Sequence, residues 1–140
     1  MHANSPTIIV AGEWVTKAEN DLKNAAHTLK LGKACPTDTV GFHAQQCAEK
    51  YLKAFLVYKG IDFTRTHEIE RLVALLPKDI CLNLSIEEQR RLTGYATMTR
   101  YPGAYEPISL AEARQSVRLA RRVRRELRVF LPKEALRHRR

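Results

Sequence analysis

The chain has 140 residues, of which 44% are hydrophobic and 28% charged, a balance typical of one globular domain. A domain of this length can fold without disulfides or metals, and no apolar run approaches the roughly 18 residues that would span a bilayer. The formal net charge of +9 favours anionic partners such as nucleic acid, nucleotides or an acidic protein. A charge of this size that serves only to keep the protein soluble is an equally good explanation.

The periodicity of the chain is helical almost from end to end. Residues 1–12 lack the features of a secretory signal, and we interpret them as a poorly ordered or loosely docked arm. The first helix is predicted from about Glu13 to Leu31, because apolar residues recur every three or four positions, with Gly32 as its stop. A second helix, from Thr37 or Asp38 to about Lys59, has a broad apolar stripe that predicts a central position.

Three further helices follow. A short one is predicted from about His67 to Leu76, before Pro77. Ser85 opens a capping-box pattern, and the fourth helix is predicted to run from there to about Tyr101. Ser109 opens a second such pattern and a last helix that runs to about Leu131.

Short connections between consecutive helices make them antiparallel neighbours. The predicted fold is therefore all-α: an antiparallel up-and-down four-helix bundle with one additional short helix. The helical domain is predicted over residues 13–131, followed by a basic C-terminal tail over residues 132–140.

The cysteines and histidines do not suggest a metal or cofactor. Cys35, Cys47 and Cys81 are odd in number and match no metal-binding spacing, so we expect reduced thiols and a cytoplasmic location. His43 lies one turn before Cys47, but two ligands without a third are weak evidence for a metal. Core packing of Cys47 beside a surface or interface His43 is the favoured interpretation.

Arginines form a stripe along the last helix, rotated about 100° from its apolar line. They are spaced 4, 3, 4 and 3 residues apart: Arg114, Arg118, Arg121, Arg125 and Arg128. The stripe is consistent with a solvated face, with a contact to an acidic protein or a second copy of the chain, or with nucleic-acid binding. On the apolar line itself, Arg124 interrupts the hydrophobic residues.

Two other polar segments could contact an anion. Gln46, Glu49, Lys50 and Lys53 share one angular sector of the second helix, as either an intrahelical Glu–Lys pair or a polar strip crossing a groove. The segment over residues 99–105 combines an arginine, two tyrosines and a Pro-Gly break. It could hold a phosphate and stack a base, or simply terminate the fourth helix, which is the favoured interpretation.

Several of these segments together resemble a prokaryotic HEPN (higher eukaryotes and prokaryotes nucleotide-binding) domain over about residues 13–131. The resemblance rests on Trp14, Ala18 and Asp21-Leu22, on FHAQQCAEKYLKAFL over 42–56, on Thr66-His67, on RYPGAYEP over 100–107 and on the Ala-rich last helix. It implies a small helical bundle that often dimerises. It also implies frequent pairing with a small nucleotidyltransferase, often as a toxin–antitoxin or related two-gene unit.

Many HEPN proteins are metal-independent endoribonucleases that use an arginine followed, after four to six residues, by a histidine. After Arg100 those positions hold Tyr105, Glu106 and Pro107, and no other histidine follows an arginine at that spacing. A ribonuclease of the usual HEPN type is therefore not expected. The resemblance and the residue chemistry together make Arg100 and Tyr101, then Lys50 and Lys53, the candidate contacts to a nucleotide or other anion.

Three functions remain open at this point. The first is a non-catalytic module that binds a nucleotide or nucleic acid or pairs with a nucleotidyltransferase. The second is a divergent metal-independent endoribonuclease with a shifted active site. The third is a non-specific nucleic-acid-binding protein that uses the arginine stripe.

Overall fold

The computed structural model describes residues 5–97 and 107–137, and all regular secondary structure in this part of the chain is helical. The elements are α1 (Pro6–Leu29), a 3₁₀ turn (Gly32–Ala34), α2 (Thr37–Tyr58), α3 (Ile69–Ala74), α4 (Ile86–Tyr95), α5 (Leu110–Arg128) and α6 (Lys133–Leu136). The prediction of an all-α helical bundle is thus confirmed. None of the helices in the described ranges is long and apolar enough to cross a membrane.

The first helix begins at Pro6 rather than at Glu13. Ser5 caps it by accepting a hydrogen bond from the backbone N–H of Ile8, and proline suits the first helical position. Ile8 and Ala11 are buried in a small second cluster with Ala135 of α6. Residues 6–12, interpreted from the sequence as a poorly ordered or loosely docked arm, are thus the first turns of α1, and a segment more than a hundred residues away covers their apolar side. Residues 1–4 lie outside the described part of the chain.

The second helix occupies the centre of the bundle, as its broad apolar stripe predicts. It packs against α1, α5, α4 and α3, and its largest fully buried side chains include Tyr51 and Phe55. Gly60 ends it with a φ of +70°, and the N–H of Ile61 donates to the carbonyl of Leu56 at 2.9 Å. This left-handed glycine C-cap agrees with the predicted end of the helix at about Lys59.

The third helix is shorter than predicted, and a residue from α4 caps it. No side chain at the start of α3 accepts from its first N–H groups. Instead the N–H of Ile69 donates to Thr93 Oγ1 at 2.8 Å. His67, where the helix was predicted to begin, lies before it, with its ring Nδ1 2.9 Å from Glu49 Oε1.

The fourth helix begins at Ile86 with the complete capping box that Ser85 and Glu88 predict. It ends at Tyr95 rather than near Tyr101, with Gly94, a weak helix former, in its last turn. Residues 98–106 lie outside the described part of the chain.

Only half of the second predicted capping box forms. Ser109 accepts from the N–H of Glu112, but the Glu112 carboxylate accepts instead from the hydroxyl of Tyr95 at 2.7 Å. The last long helix ends at Arg128, and the predicted basic tail contains α6, which packs on α1. Residues 138–140 are outside the described ranges.

Candidate anion-binding surface

The arginine that interrupts the apolar line of α5 has a buried partner on α1. Arg124 Nε lies 2.6 Å from Glu19 Oε2, and its Nη2 lies 3.2 Å from Glu19 Oε1, so the guanidinium holds both carboxylate oxygens. Glu19 is only 6% exposed. Two-point pairing of this kind fixes the orientation of the guanidinium as well as its position.

A tyrosine of α2 completes this cluster and connects it to a second arginine. The Tyr51 hydroxyl donates to Glu19 Oε2 and accepts from Arg128 Nη1, the latter at 3.1 Å. Burial by itself would raise the pKa of Glu19, but hydrogen bonds from Arg124 and Tyr51 outweigh it and lower that pKa. Glu19 therefore stays ionised. It holds Arg124 directly, and the Tyr51 hydroxyl links it to Arg128.

The other arginines of the stripe face solvent. They are Arg114, Arg118, Arg121 and Arg125, which we call the exposed arginine row. No carboxylate of the described residues lies within ion-pair distance of any of them. The two glutamates of α5 are engaged elsewhere, since Glu112 accepts from Tyr95 and Glu126 accepts from the N–H of Asn83.

A groove runs between α1 and the C-terminal half of α5. It has a volume of about 340 Å³. Its lining residues, which define the arginine groove, are Leu22, Arg121, Arg124, Arg125 and Arg128. The groove therefore combines two arginines of the exposed row with the two that the buried cluster anchors.

A larger depression, of about 750 Å³, lies along the outer face of α1 near Asn20 and Lys30. Side chains of α1 and of its C-cap residue line it, so no second element of the described chain brings groups toward it from another direction. We therefore regard the arginine groove as the better candidate for a binding site, although it is smaller.

Lys50, a predicted anion contact, pairs with an aspartate of α1. Its Nζ lies 2.5 Å from Asp21 Oδ2, and His43 Nδ1 lies 2.8 Å from Asp21 Oδ1. His43 of α2 therefore lies at the contact with α1. Lys50 remains partly exposed, but its charge is already matched by Asp21.

Lys53, the other predicted lysine, is buried with only 5% exposure. Its Nζ lies 2.9 Å from Glu49 Oε2 and sits over the rings of Trp14 and Phe63. The intrahelical Glu–Lys pair is thus present, and it points inward rather than into an open groove. Lys53 is therefore not presented to a ligand from solvent.

Glu49 is the centre of this second buried polar cluster. Its Oε1 accepts from Gln45 Nε2 at 2.9 Å and lies 2.9 Å from His67 Nδ1. Burial would raise the pKa of Glu49, but the contacts to Lys53, Gln45 and His67 outweigh it and lower that pKa. The polar strip over residues 46–53 is therefore split between two separate clusters.

Arg100 and Tyr101, the first-ranked candidates from the sequence, lie outside the described residues. Sequence reasoning also missed Glu19 and Tyr51 as members of the buried cluster behind the arginine groove. One signal was available, because Glu19 lies four residues after Val15 on the buried side of α1 and Arg124 occupies the apolar line of α5. An acid and a base both placed on core-facing positions indicate a buried pair.

No group of three or more potential metal-ligating side chains occurs within residues 5–97 and 107–137. The arginine groove carries positive charge and hydrogen-bond donors. What it offers chemically is a concave cluster of guanidinium groups, which suits phosphate and carboxylate oxygens.

The family model of the HEPN domain matches residues 11–130. The chain belongs to the HEPN family. TT1696 of Thermus thermophilus has a similar crystal structure, with a TM-score of 0.74 and 29% identity over 85% of this chain and 96% of that one. The archaeal HEPN homologue ST0689 is also similar, with a TM-score of 0.68 and 27% identity over 87% of this chain and 98% of that one. A comparison with curated protein sequences gave no match.

The family assignment agrees with the resemblance recognised from the second helix and the RYPGAYEP segment. It also extends the matched region to residue 11, inside the part of α1 that the sequence analysis assigned to an arm.

Proposed function

We propose that this HEPN domain is a non-catalytic module that pairs with an acidic protein of the small nucleotidyltransferase type through the exposed arginine row. The observation that carries the proposal is the exposure of four arginines along one helix without a described carboxylate beside any of them. The family resemblance supplies the class of partner, and a toxin–antitoxin-like unit in the cytoplasm is the setting we expect for the pair.

Charge explains why such a row favours an acidic partner. The helix α5 contains seven arginines and two glutamates, and both glutamates have hydrogen-bond donors outside α5. Uncompensated like charges on one face repel each other, and a partner's carboxylates would relieve that repulsion. Arginine is also the residue that pairs most specifically with carboxylates, because its planar fork makes two parallel hydrogen bonds.

The geometry of the row suits a partner surface rather than a small ligand. Arg114 and Arg125 are separated by three helical turns, a distance of about 16 Å at the rise of an α-helix. A row of that length can contact several acidic side chains of one protein at the same time. We also propose that the domain forms a homodimer, as HEPN domains commonly do.

The non-catalytic part of the proposal rests on the sequence after Arg100. The positions where HEPN ribonucleases carry a histidine hold Tyr105, Glu106 and Pro107. An imidazole that could exchange protons with a ribose hydroxyl is absent from those positions. We therefore expect no metal-independent cleavage of RNA at micromolar protein concentrations.

The test is copurification of the tagged full chain from its own host at low salt, with the bound protein identified by mass spectrometry. The test variant is Arg114→Gln with Arg118→Gln, which removes two charges from the row outside the arginine groove. The matched control is Arg65→Gln with Arg90→Gln, two exposed arginines outside α5.

We expect an acidic nucleotidyltransferase to copurify with the wild-type and control proteins. The amount that copurifies with the row variant should be at least tenfold lower. Equal recovery with both variants would remove the row from the interface. Copurification of nucleic acid without any protein partner would overturn the proposed function. So would RNA cleavage by the wild-type protein that Arg100→Ala abolishes.

A further inference from the structure

Two of the guanidiniums in the arginine groove are held in place before any ligand arrives. Glu19 accepts two hydrogen bonds from Arg124, and the Tyr51 hydroxyl accepts one from Arg128 at 3.1 Å. Both acceptors are buried, with Glu19 at 6% and Tyr51 at 0% exposure. A binding group that is already fixed loses little conformational entropy when a ligand binds.

Within the part of the chain that the structure describes, these anchoring contacts leave donors unused. A guanidinium has five N–H groups, of which Arg124 gives two to Glu19 and Arg128 gives one to Tyr51. The other two arginines of the groove, Arg121 and Arg125, have no described hydrogen-bond partner that fixes them and can adjust to a ligand. Two of the four arginines in the groove are thus fixed, and the other two can change their side-chain conformation.

The charge around the groove remains strongly positive even though Glu19 is ionised. Four arginines and one glutamate give a formal charge of +3 at this end of the helix. The C-terminal end of a helix carries about half a negative charge, which disfavours an anion there. That partial charge acts within the last turn and is several times smaller than the charge of the arginines, so attraction of an anion prevails.

We propose that the arginine groove binds a terminal phosphate group, that is, a phosphomonoester. Such a group carries close to two negative charges and three acceptor oxygens at neutral pH. A phosphodiester or a carboxylate carries one charge, so each would leave more of the groove's charge uncompensated. The ligand could come from two sources, a free mononucleotide or the 5′-phosphorylated end of an RNA.

This inference goes beyond the protein-docking function and does not depend on it. The docking test changes Arg114 and Arg118, which lie outside the groove, whereas the phosphate site needs Arg121, Arg124, Arg125 and Arg128. Either proposal can therefore fail while the other stands.

The experiment measures binding to the purified full chain by calorimetry in buffer of low ionic strength. The small probes are adenosine 5′-monophosphate and adenosine. The RNA probes are one short oligonucleotide with a 5′-phosphate and the same oligonucleotide with a 5′-hydroxyl. We expect at least a tenfold preference for the phosphorylated member of one pair or of both.

The test variant is Arg121→Gln with Arg125→Gln, because these exposed side chains have no buried partner among the described residues and their loss spares the fold. The matched control is Arg114→Gln with Arg118→Gln, the same change of charge on the same helix. The preference for the phosphorylated probe should disappear in the test variant and persist in the control. A second variant, Arg128→Gln, should weaken it as well.

The two probe pairs distinguish the sources. A preference within the nucleotide pair alone assigns a free mononucleotide, and a preference within the RNA pair assigns an RNA end. Equal affinity for phosphorylated and unphosphorylated probes would overturn the proposal, as would an equal loss in the test and control variants. The second result would mean that net charge, and not the groove, governs binding.

Discussion

At the scale of single residues, the molecule buries several charges and gives each of them a partner. Glu19 pairs with Arg124, and Glu49 pairs with Lys53, and both glutamates are almost fully buried. No buried side-chain nitrogen or oxygen in the described residues is without a hydrogen-bond partner. Because isolated buried charges are costly, loss of one member should harm stability more than loss of any surface pair.

The buried Glu49–Lys53 pair gives the first prediction on stability. Glu49→Gln keeps the size of the side chain but leaves the Lys53 ammonium buried without a counter-charge. We expect the free energy of unfolding at pH 7, measured with urea, to fall by about 3–5 kcal/mol. The control is Glu68→Gln, which removes an exposed ion pair with Arg71 and should cost less than about 1 kcal/mol. Equal losses would show that burial adds nothing to the pair.

At the scale of elements, α3 depends on α4 for its first hydrogen bond. Thr93 accepts from the N–H of Ile69, and its single hydroxyl proton is shared between Glu70 Oε1 and the carbonyl of Gln89. A six-residue helix is too short to be stable alone, so its position is set by this contact and by burial of Ile69 and Leu72.

Thr93→Val therefore tests how α3 is held. The substitution keeps the branched shape but removes the hydroxyl, and we expect a loss of about 1–2 kcal/mol in the free energy of unfolding. The control is Thr16→Val, whose hydroxyl has one hydrogen-bond partner among the described residues, the carbonyl of Gly12 in its own helix. It should change stability by less than about 0.5 kcal/mol. A larger loss at Thr16 than at Thr93 would contradict the capping role.

At the scale of the whole molecule, stability should depend on pH through the buried glutamates. The folded state lowers the pKa of Glu19 and of Glu49, mainly because hydrogen bonds and nearby cations outweigh burial. A lowered pKa in the folded state contributes stability that is complete above the ordinary glutamate pKa, about 4.3, and is lost as the pH falls below it.

We therefore expect the free energy of unfolding to be nearly constant from pH 7 to about pH 5.5 and to decrease steadily from there to pH 3. Urea titrations at several pH values measure this directly. Glu49→Gln should show a shallower decrease, because one of the contributing carboxyl groups is gone. A profile that stays flat to pH 3 would contradict the lowered pKa values.

Much of this architecture was predictable from local pattern. The limits of α2, the glycine stop at Gly60 and the capping box at Ser85 all depend on residues within one or two turns, which the sequence displays directly. The family segments of α2 also identified the HEPN fold without reference to three-dimensional contacts. Local hydrogen bonding and helical periodicity are sufficient to determine these features.

Features that depend on distant residues were mispredicted or missed. The start of α1 at Pro6 depends on α6, and the cap of α3 depends on Thr93. Lys50 and Lys53 share a sector of α2 that the sequence explained equally as an intrahelical Glu–Lys pair or as a polar strip crossing a groove. In the structure Asp21 and Glu49 draw the two lysines into different clusters. Pattern along one helix cannot show which side chains the neighbouring helices supply.

The sequence alone determined that the chain is helical, basic and HEPN-like, with an arginine stripe on its last long helix, because periodicity and charge spacing are properties of the chain itself. Only the tertiary structure decided which arginines the stripe presents to solvent and which it anchors. That difference arises because α1 and α2 bring Glu19 and Tyr51 to one end of α5 and leave Arg114 and Arg118 at the other end without a described acid.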